Sequence, residues 1–375
     1  MATTSGIREM TIAAAQAAPV WMNRTATVHK AAGIIREAAS NGAKLVGFPE
    51  GFIPGHPSWY HFHTTSSTKA RALAVRLFEQ SVDLSSGEMD ELCEAAADGK
   101  INVVMGLTER LPGTTGTLFN TQVLIDETGA ISAKHQKLVP TVGERLVHSP
   151  GSAATQLSFH TPVGTVSSLI CGENSNPFAL ARIVTEYPIV HVASWPSNFA
   201  SGLGNMRDQS LFVNRNVAYA CACYVVCATS INSEEMIHDL AKDERDAAFL
   251  RDAKYVGGAA IIDPYGQIVA GPLDGDKEGL LYAVATAESC IRMRCTHDFA
   301  GHYNRPDVYH LEVNTYDQQL TSFNDFNPRE ENRGASDHVP TSGDRSPVMH
   351  HLNAPECAHA VANGTERTRN STNHK

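Results

Sequence analysis

Apolar residues recur along this chain with two different periods, and the way the periods alternate predicts its architecture. Thr11 to Ala17 is a run of small, mostly apolar residues that reads as a strand. Asn23 then offers an N-cap to a helix whose inward stripe is Val28, Ala31, Ala32, Ile35 and Ala38, and Asn41-Gly42 supplies its stop. A second short apolar run, Lys44 to Gly47, follows at once, giving a strand–helix–strand unit with a right-handed crossover. Ser85-Ser86-Gly87-Glu88 matches a capping box and predicts a helix reaching Ala97, with a strand from Ile101 to Leu107 behind it. Further on, Val163, Val166, Leu169 and Ile170 read as a strand, and Pro177 opens a helix through Phe178, Leu180 and Ile183. Ile189 to Ala193 and Tyr224 to Ala228 are nearly all apolar, as strands covered on both faces should be.

Two stretches repeat one another. Leu124-Ile125-Asp126-Glu127-Thr128-Gly129-Ala130-Ile131 and Ile261-Ile262-Asp263-Pro264-Tyr265-Gly266-Gln267-Ile268 are each strand, Asp-x-x-Gly turn, strand. Each predicts a hairpin with glycine in the left-handed position. The recurrence suggests two halves of similar build, with two sheets facing each other and helices on both outer sides. One domain is expected over residues 1–325. Residues 326–375 are rich in Asn, Thr, Ser, His and Pro. That composition buries too little surface to offset its ordering entropy, so this tail is expected to be disordered or ordered only by a partner subunit.

Three apolar runs end abruptly in a residue fit for chemistry. Ser168-Leu169-Ile170 ends in Cys171, Leu45-Val46-Gly47-Phe48-Pro49 ends in Glu50, and Ile131 to Gln136 ends in Lys137. A thiol at the carboxyl end of a buried strand, followed by a turn and a helix start, has the unpaired N–H groups of the turn beside it to receive a developing oxyanion. A carboxylate can take the thiol's proton, and a lysine can hold the charge of a tetrahedral intermediate. Taken singly, Cys171 is a buried hydrophobe and Glu50 and Lys137 a solvated pair. Jointly, the ordered set favours a site.

The motifs around these residues resemble those of the nitrilase branch of the carbon–nitrogen hydrolase superfamily, across roughly residues 7–315. Phe48-Pro49-Glu50, His135-Gln136-Lys137-Leu138-Val139-Pro140-Thr141 and Cys171-Gly172-Glu173-Asn174 are similar to its glutamate, lysine and nucleophile motifs. His191 to Pro196 and Gly301 to Asp307 favour nitrilases proper within that superfamily. Many nitrilases carry Trp after the cysteine, whereas this chain has Gly172, a departure that bears on the substrate pocket.

The resemblance implies a four-layer αββα sandwich, no metal or other cofactor, and hydrolysis of a small-molecule nitrile to the acid and ammonia through a cysteine thioimidate and thioester. Glu50 is then the base, Cys171 the nucleophile, and Lys137 with the Gly172 N–H the stabilisers of the intermediate. On this assignment thiol reactivity depends on Glu50, while Lys137 is dispensable for simple alkylation. Glu144 matches a second family glutamate that positions Lys137 or substrate; the competing reading is a surface ion pair with Arg145. Glu173 is expected to anchor the nucleophile turn. Trp59, Trp195 and Phe199 are candidates for an apolar substrate pocket, with core packing as the alternative. The same triad is compatible with an amidase or a nitrile hydratase, and a silent scaffold is a third reading. The helices near Phe178–Tyr187 and Leu211–Tyr224 carry more apolar residues than one core-facing stripe needs, which suggests a homo-oligomer.

Composition narrows the remainder. With 375 residues, 42% hydrophobic content and a net charge of −10, the chain is globular and poorly suited to nucleic acid or anionic membrane. The first residues lack the apolar core of a signal peptide and no run approaches a membrane span, so a cytoplasmic location is expected. Eight cysteines do not suggest a disulfide framework in a chain this long. Cys221, Cys223 and Cys227 lie close together without a histidine at ligand spacing and are read as buried structural thiols. His56, His61 and His63 are read as loop or pocket histidines.

Overall fold

A computed structural model describes residues 9–315, apart from 156, 157, 163, 201 and 203. The tail at 326–375 and its boundary lie outside the described residues. In chain order the first half contains β1 (Glu9–Ala17), α1 (Arg24–Ser40), β2 (Leu45–Gly47), α2 (Thr68–Gln80), α3 (Asp90–Gly99), β3 (Asn102–Arg110), β4 (Leu118–Ile125) and β5 (Ile131–Gln136). The second contains β6 (Ser158–Thr161), β7 (Gly164–Ile170), α4 (Pro177–Val184), β8 (Pro188–Trp195), α5 (Met206–Cys221), β9 (Tyr224–Ser230), α6 (Glu234–Leu240), α7 (Glu244–Arg251), β10 (Ala260–Ile262) and β11 (Ile268–Ala270). β12 (Gly279–Thr286) and α8 (Ala287–Arg294) close the fold.

The halves correspond strand for strand. β1, β2 and β3 are parallel, with α1 and then α2 and α3 in the connections, and an antiparallel β4–β5 hairpin follows. β7, β8 and β9 repeat this with α4 and α5, followed by the β10–β11 hairpin. β12 and β6 add antiparallel edges to β1 and β7. Both hairpin turns form as expected: Asp126 Oδ1 accepts from Thr128 N and Ala130 N, and Asp263 Oδ1 accepts from Tyr265 N and Gln267 N. Gly129 and Gly266 sit at φ 85° and 77°.

Side-chain alternation sorts the apolar residues into layers. On β1, Ile12 and Ala14 join one buried cluster while Ala13 and Ala15 join another. The Ile12 cluster includes Leu45, Val104, Val190, Val192 and Val226, and so lies between the two sheets. The Ala13 cluster packs the first sheet on α1 and α3 through Ile35, Ala38, Leu92 and Ala96. Leu180, Ile183, Val217 and Ala218 of α4 and α5 cover the second sheet. The result is the αββα sandwich. The sheets touch edge to edge at one seam, where Gln16 and Ala17 pair with Thr229 and Ser230. Gly47 lets them close face to face: a Cβ there would lie 2.7 Å from Val192 and 2.9 Å from Val226.

One local expectation fails. Ser86 makes no side-chain cap, and α3 begins at Asp90 after a separate helical turn, Gly87–Met89. Asp83 already holds the Ser85 N–H, and Glu88 reaches back to Asp83 N at 2.8 Å while pairing with Arg24. By contrast α1 is capped by Asn23, which accepts from Ala26 N. Among the described residues no helix is long and apolar enough to cross a membrane.

Candidate active site

Strand ends from both sheets bring Glu50, Lys137 and Cys171 together. Glu50 follows β2, and its N–H donates to the Trp195 carbonyl at the end of β8, which ties it to the other sheet. The segment before it runs close over β3, because any side chain at Gly106 would overlap the Pro49 carbonyl. Lys137 follows β5, its backbone held by the Asn120 carbonyl and by Gly151 N. Cys171 directly follows β7 and begins a helical turn, Cys171–Ser175, with φ at +50°. A non-glycine residue held there is strained, and such positions persist where the surroundings over-determine them.

The three side chains are 1%, 1% and 4% exposed in that order, so their charges interact with little screening. Lys137 Nζ donates to Glu50 Oε1 and to Glu144 Oε2, each at 2.7 Å. Asn120 Nδ2 donates to Glu50 Oε1 and Glu144 Oε1, also at 2.7 Å. Glu144 further accepts from Thr141 N at 2.8 Å and faces His148 Nδ1 at 3.1 Å. It is fully buried, while Arg145 turns away to the Pro140 carbonyl; the surface ion pair is therefore not formed. Glu50 Oε1 is saturated, but Glu50 Oε2 is buried with no hydrogen-bond partner among the described residues.

Burial alone would raise the Glu50 carboxyl; Lys137 and then His56 outweigh it and hold the group below the usual carboxylate range. Burial would likewise lower Lys137, yet Glu50, Glu144 and Cys171 hold it well above the usual lysine value. The Cys171 thiol is pushed well above its ordinary value by burial and by Glu50, against the opposing pull of Lys137 and the Gly172 N–H. At rest the site therefore holds a neutral thiol, a fixed ammonium and an ionised carboxylate with one free oxygen.

Glu173 anchors the nucleophile turn as expected, accepting from Ile170 N at 3.0 Å. Gly172 is half-buried, and a Cβ there would meet only Thr141 Oγ1, at 3.5 Å. Trp195 joins the same buried cluster as Cys171, and its indole N–H is unpartnered among the described residues. Phe199 packs partly buried against that cluster. Trp59 lies instead with Trp21, Leu73 and Leu77, in line with core packing.

Three neighbours of the triad were not singled out from sequence, Asn120, His148 and Tyr60, while His56, read there as a loop or pocket histidine, lies beside Glu50. His56 Nε2 is 3.6 Å from Glu50 Oε1, and Nδ1 is 2.9 Å from Ser58 Oγ. Tyr60 feels the charges of Glu144, Lys137 and Glu50, and its phenol is pushed well above the usual range, chiefly by burial. A signal for Asn120 did exist, since Asn120 and Gln122 alternate with Leu124 on a strand face that turns inward. Glu50, His56 and Glu144 could together offer ligand atoms to a cation. The Lys137 ammonium, 2.7 Å from both carboxylates, already supplies the positive charge there. A cleft of about 420 Å³ lined by Asp126, Ser132, His160, Arg182 and Glu186 lies at the other end of β5 from Lys137 and includes none of the triad.

Known proteins resemble this chain over most of its length. Residues 11–294 match the carbon–nitrogen hydrolase family model. The chain is 34% identical over 322 residues to a nitrilase 2 from an unknown prokaryotic organism, covering 84% of this chain and 96% of that one. It is 36% identical to an aliphatic nitrilase of Rhodococcus rhodochrous, covering 81% and 82%, and 30% identical to an arylacetonitrilase of Aspergillus oryzae, covering 84% and 95%. In structure it is similar to Saccharomyces cerevisiae Nit3, a member of branch 10 of the nitrilase superfamily, with a TM-score of 0.58 at 19% identity, covering 80% and 97%. A Nesterenkonia amidase gives 0.53 at 18%, covering 76% and 91%. At those identities the structural likeness speaks for the fold.

Proposed function

The chain belongs to the carbon–nitrogen hydrolase family, in its nitrilase branch, and from that premise we propose that it hydrolyses an organic nitrile to the carboxylic acid and ammonia, with Cys171 as nucleophile. The observation that carries the residue assignment is the unpaired, buried Glu50 Oε2 beside a saturated Oε1. Such an oxygen is poised to accept one proton and return it. Cys171 Sγ attacks the nitrile carbon as its proton passes to Glu50 and on to the nitrile nitrogen, giving a thioimidate. A water that loses its proton to Glu50 adds to that carbon. Lys137 and the Gly172 N–H bear the charge of the tetrahedral species. The nitrogen takes that proton from Glu50 and then the hydroxyl proton, relayed by the same carboxylate, and leaves as ammonia as the carbonyl forms, giving a thioester, which a second water cleaves by the same route to release the acid and restore the thiol. Glu144 and Asn120 hold Lys137 and Glu50 in place.

Incubation with aliphatic, arylaliphatic and aromatic nitriles, with cyanide and with the matching amides tests this. One ammonia per acid formed is the expected result. Amide without ammonia would mean a hydratase, turnover of amides alone an amidase, and no product a scaffold.

Two further expectations belong to the same proposal. The protein works as a homo-oligomer: Phe178 on α4 and Phe212 on α5 are 70% and 77% exposed, and Tyr303 and Tyr309 are also exposed. Single exposed apolar groups are ordinary, but aromatic residues on two helices beside the nucleophile turn favour a partner. Its setting is the cytoplasm, because all seven cysteines among the described residues are free thiols, as a reducing compartment allows.

A further inference from the structure

The chemistry proposed above needs Cys171 and Lys137 at a fixed separation, yet they stand on different sheets. The layer between the sheets is largely apolar, and apolar packing is not directional. Glu173 supplies direction. It is 7% exposed, and both carboxylate oxygens are engaged. Oε1 accepts from Leu138 N, the residue after Lys137, at 2.8 Å. Oε2 accepts from Ile170 N, the residue before Cys171, at 3.0 Å, and lies 2.8 Å from Nε2 of His135, two residues before Lys137. One side chain therefore grips the backbone of both catalytic strand ends.

We propose that Glu173 is a positioning residue that sets the spacing between Lys137 and Cys171 across the two sheets, with His135 as its brace. This rests on Lys137 and Cys171 being the working pair. Three donors converge on Glu173, and only a carboxylate can accept from all of them through charge-assisted bonds. Glutamine keeps the shape but turns an N–H toward another N–H, so one strand end must move away. A companion link behaves consistently: Gln122 Nε2 donates to Ser194 Oγ at 2.7 Å, and Ser194 Oγ donates to the Phe48 carbonyl at 2.7 Å, near Glu50. That link holds the Glu50 segment to the second sheet, and the same amide reaches the Leu169 carbonyl at 3.4 Å, but neither bond engages the backbone beside Lys137.

The test combines Glu173→Gln, His135→Phe, Lys137→Met and the Glu173→Gln/Lys137→Met double variant. Turnover of a nitrile is measured alongside the rate at which iodoacetamide labels Cys171, read by mass spectrometry. A misplacement of about 1 Å costs about 100-fold in rate. Glu173→Gln should therefore lower kcat by about that factor, with KM within about 3-fold. Cys171 labelling should slow by about 10-fold, because the ammonium no longer faces the thiolate. His135→Phe should move both in the same direction by less. In the double variant, labelling should be no slower than in Lys137→Met alone, since the brace acts through the lysine. Unchanged kcat in Glu173→Gln, or labelling losses that multiply in the double variant, would overturn the proposal. If Glu173→Gln does not fold, His135→Phe decides, and wild-type behaviour there overturns it. Should the wild type turn over no nitrile, the functional reading fails while the labelling cycle still tests the brace.

Discussion

Cys171 and the trio Cys221, Cys223 and Cys227 are all hidden from solvent, and all belong to one apolar cluster on the outer side of the second sheet. Burial pushes Cys171, Cys223 and Cys227 up in the same way, the first two well above the ordinary value and Cys227 to about 12. Neither depth nor basicity separates the proposed nucleophile from Cys223 and Cys227. What separates them is backbone and company. Cys171 is held at φ +50° at a strand end, next to a carboxylate with a free oxygen and an ammonium that cannot leave. The trio occupies the end of α5 and β9, and the groups acting on Cys223 after burial are mainly other thiols. In the proposed attack on a nitrile, Cys171 is set apart because its proton has somewhere to go at that moment, whereas simple alkylation depends on the thiolate alone.

The largest effect should come from breaking that contrast directly. Cys171→Ala is expected to abolish turnover with the fold intact, while Cys223→Ala and Cys227→Ala keep activity and lose about 1 kcal/mol of stability each. Mass spectrometry of the wild type with a slow nitrile should place the adduct on Cys171. An adduct on Cys221 or Cys223 would remove the distinction.

Next in size are the two charged partners, which should act with opposite signs on the thiol. Glu50→Gln and Lys137→Met are each expected to cut nitrile turnover about 100-fold or more. Alkylation should differ. Glu50 is, after burial, the main influence keeping Cys171 protonated, so its loss should leave labelling as fast as wild type or faster. Lys137 is the main influence favouring the thiolate, so its loss should slow labelling. Lys137→Met also strands two buried carboxylates and should cost about 3–5 kcal/mol, read as a lower melting temperature. Equal labelling rates in the two variants would show that the thiol does not sense these charges.

The expectation from sequence was the reverse, with thiol reactivity needing Glu50 and not Lys137, and the labelling rates decide between the two. Residue types at strand ends identify a base, a cation and a nucleophile, because apolar runs ending in Glu50, Lys137 and Cys171 are visible as pattern. The αββα architecture was legible for the same reason: the twin Asp-x-x-Gly hairpins and doubly apolar strands are local features. What was not legible is mutual position. Whether Glu144 meets Lys137 or Arg145 depends on which way a short turn folds between them, and whether Asn120 reaches Glu50 depends on strand register. The net effect of Glu50 on the thiol depends on depth, which no local pattern reports. The Ser85–Glu88 capping box failed similarly, because Asp83 competes for the same donors.

A smaller effect concerns the residue after the nucleophile. Gly172 is not in the left-handed region, and an added Cβ makes only an ordinary contact with Thr141, so Gly172→Trp should fold normally. The indole would fill space beside Cys171. Small nitriles should retain their rate within a few-fold, whereas branched or aromatic ones should lose more than about 10-fold. Equal loss across all sizes would assign the position to the turn's backbone instead of the pocket.

The smallest effect is on stability and lies behind the nucleophile turn. Asn174 Nδ2 donates to the Cys171 carbonyl at 2.9 Å, His191 Nε2 is 2.8 Å from Asn174 Oδ1, and Ser167 Oγ is 2.8 Å from His191 Nδ1. For each bond to form, His191 must be neutral with its proton on Nε2, since Nδ1 accepts from the serine. Burial, with help from His135, lowers this histidine from 6.5 to about 3. A depressed value means the unfolded chain binds the proton first. The stabilising contribution is therefore complete above pH 6.5 and is lost progressively as pH falls toward 3, at up to about 1.4 kcal/mol per pH unit. His148 is lowered too, and His61 falls to about 4, so the slopes add in the same direction. Melting temperature should fall steadily as the pH is lowered from 6.5 toward 4.5. His191→Gln can still donate to Asn174 and accept from Ser167 but cannot titrate, so it should flatten part of that slope while preserving most activity at neutral pH. If His191→Gln shows the full wild-type slope, the proton is being taken up elsewhere, and the turn behind Cys171 is no more acid-sensitive than the strand that carries Cys227.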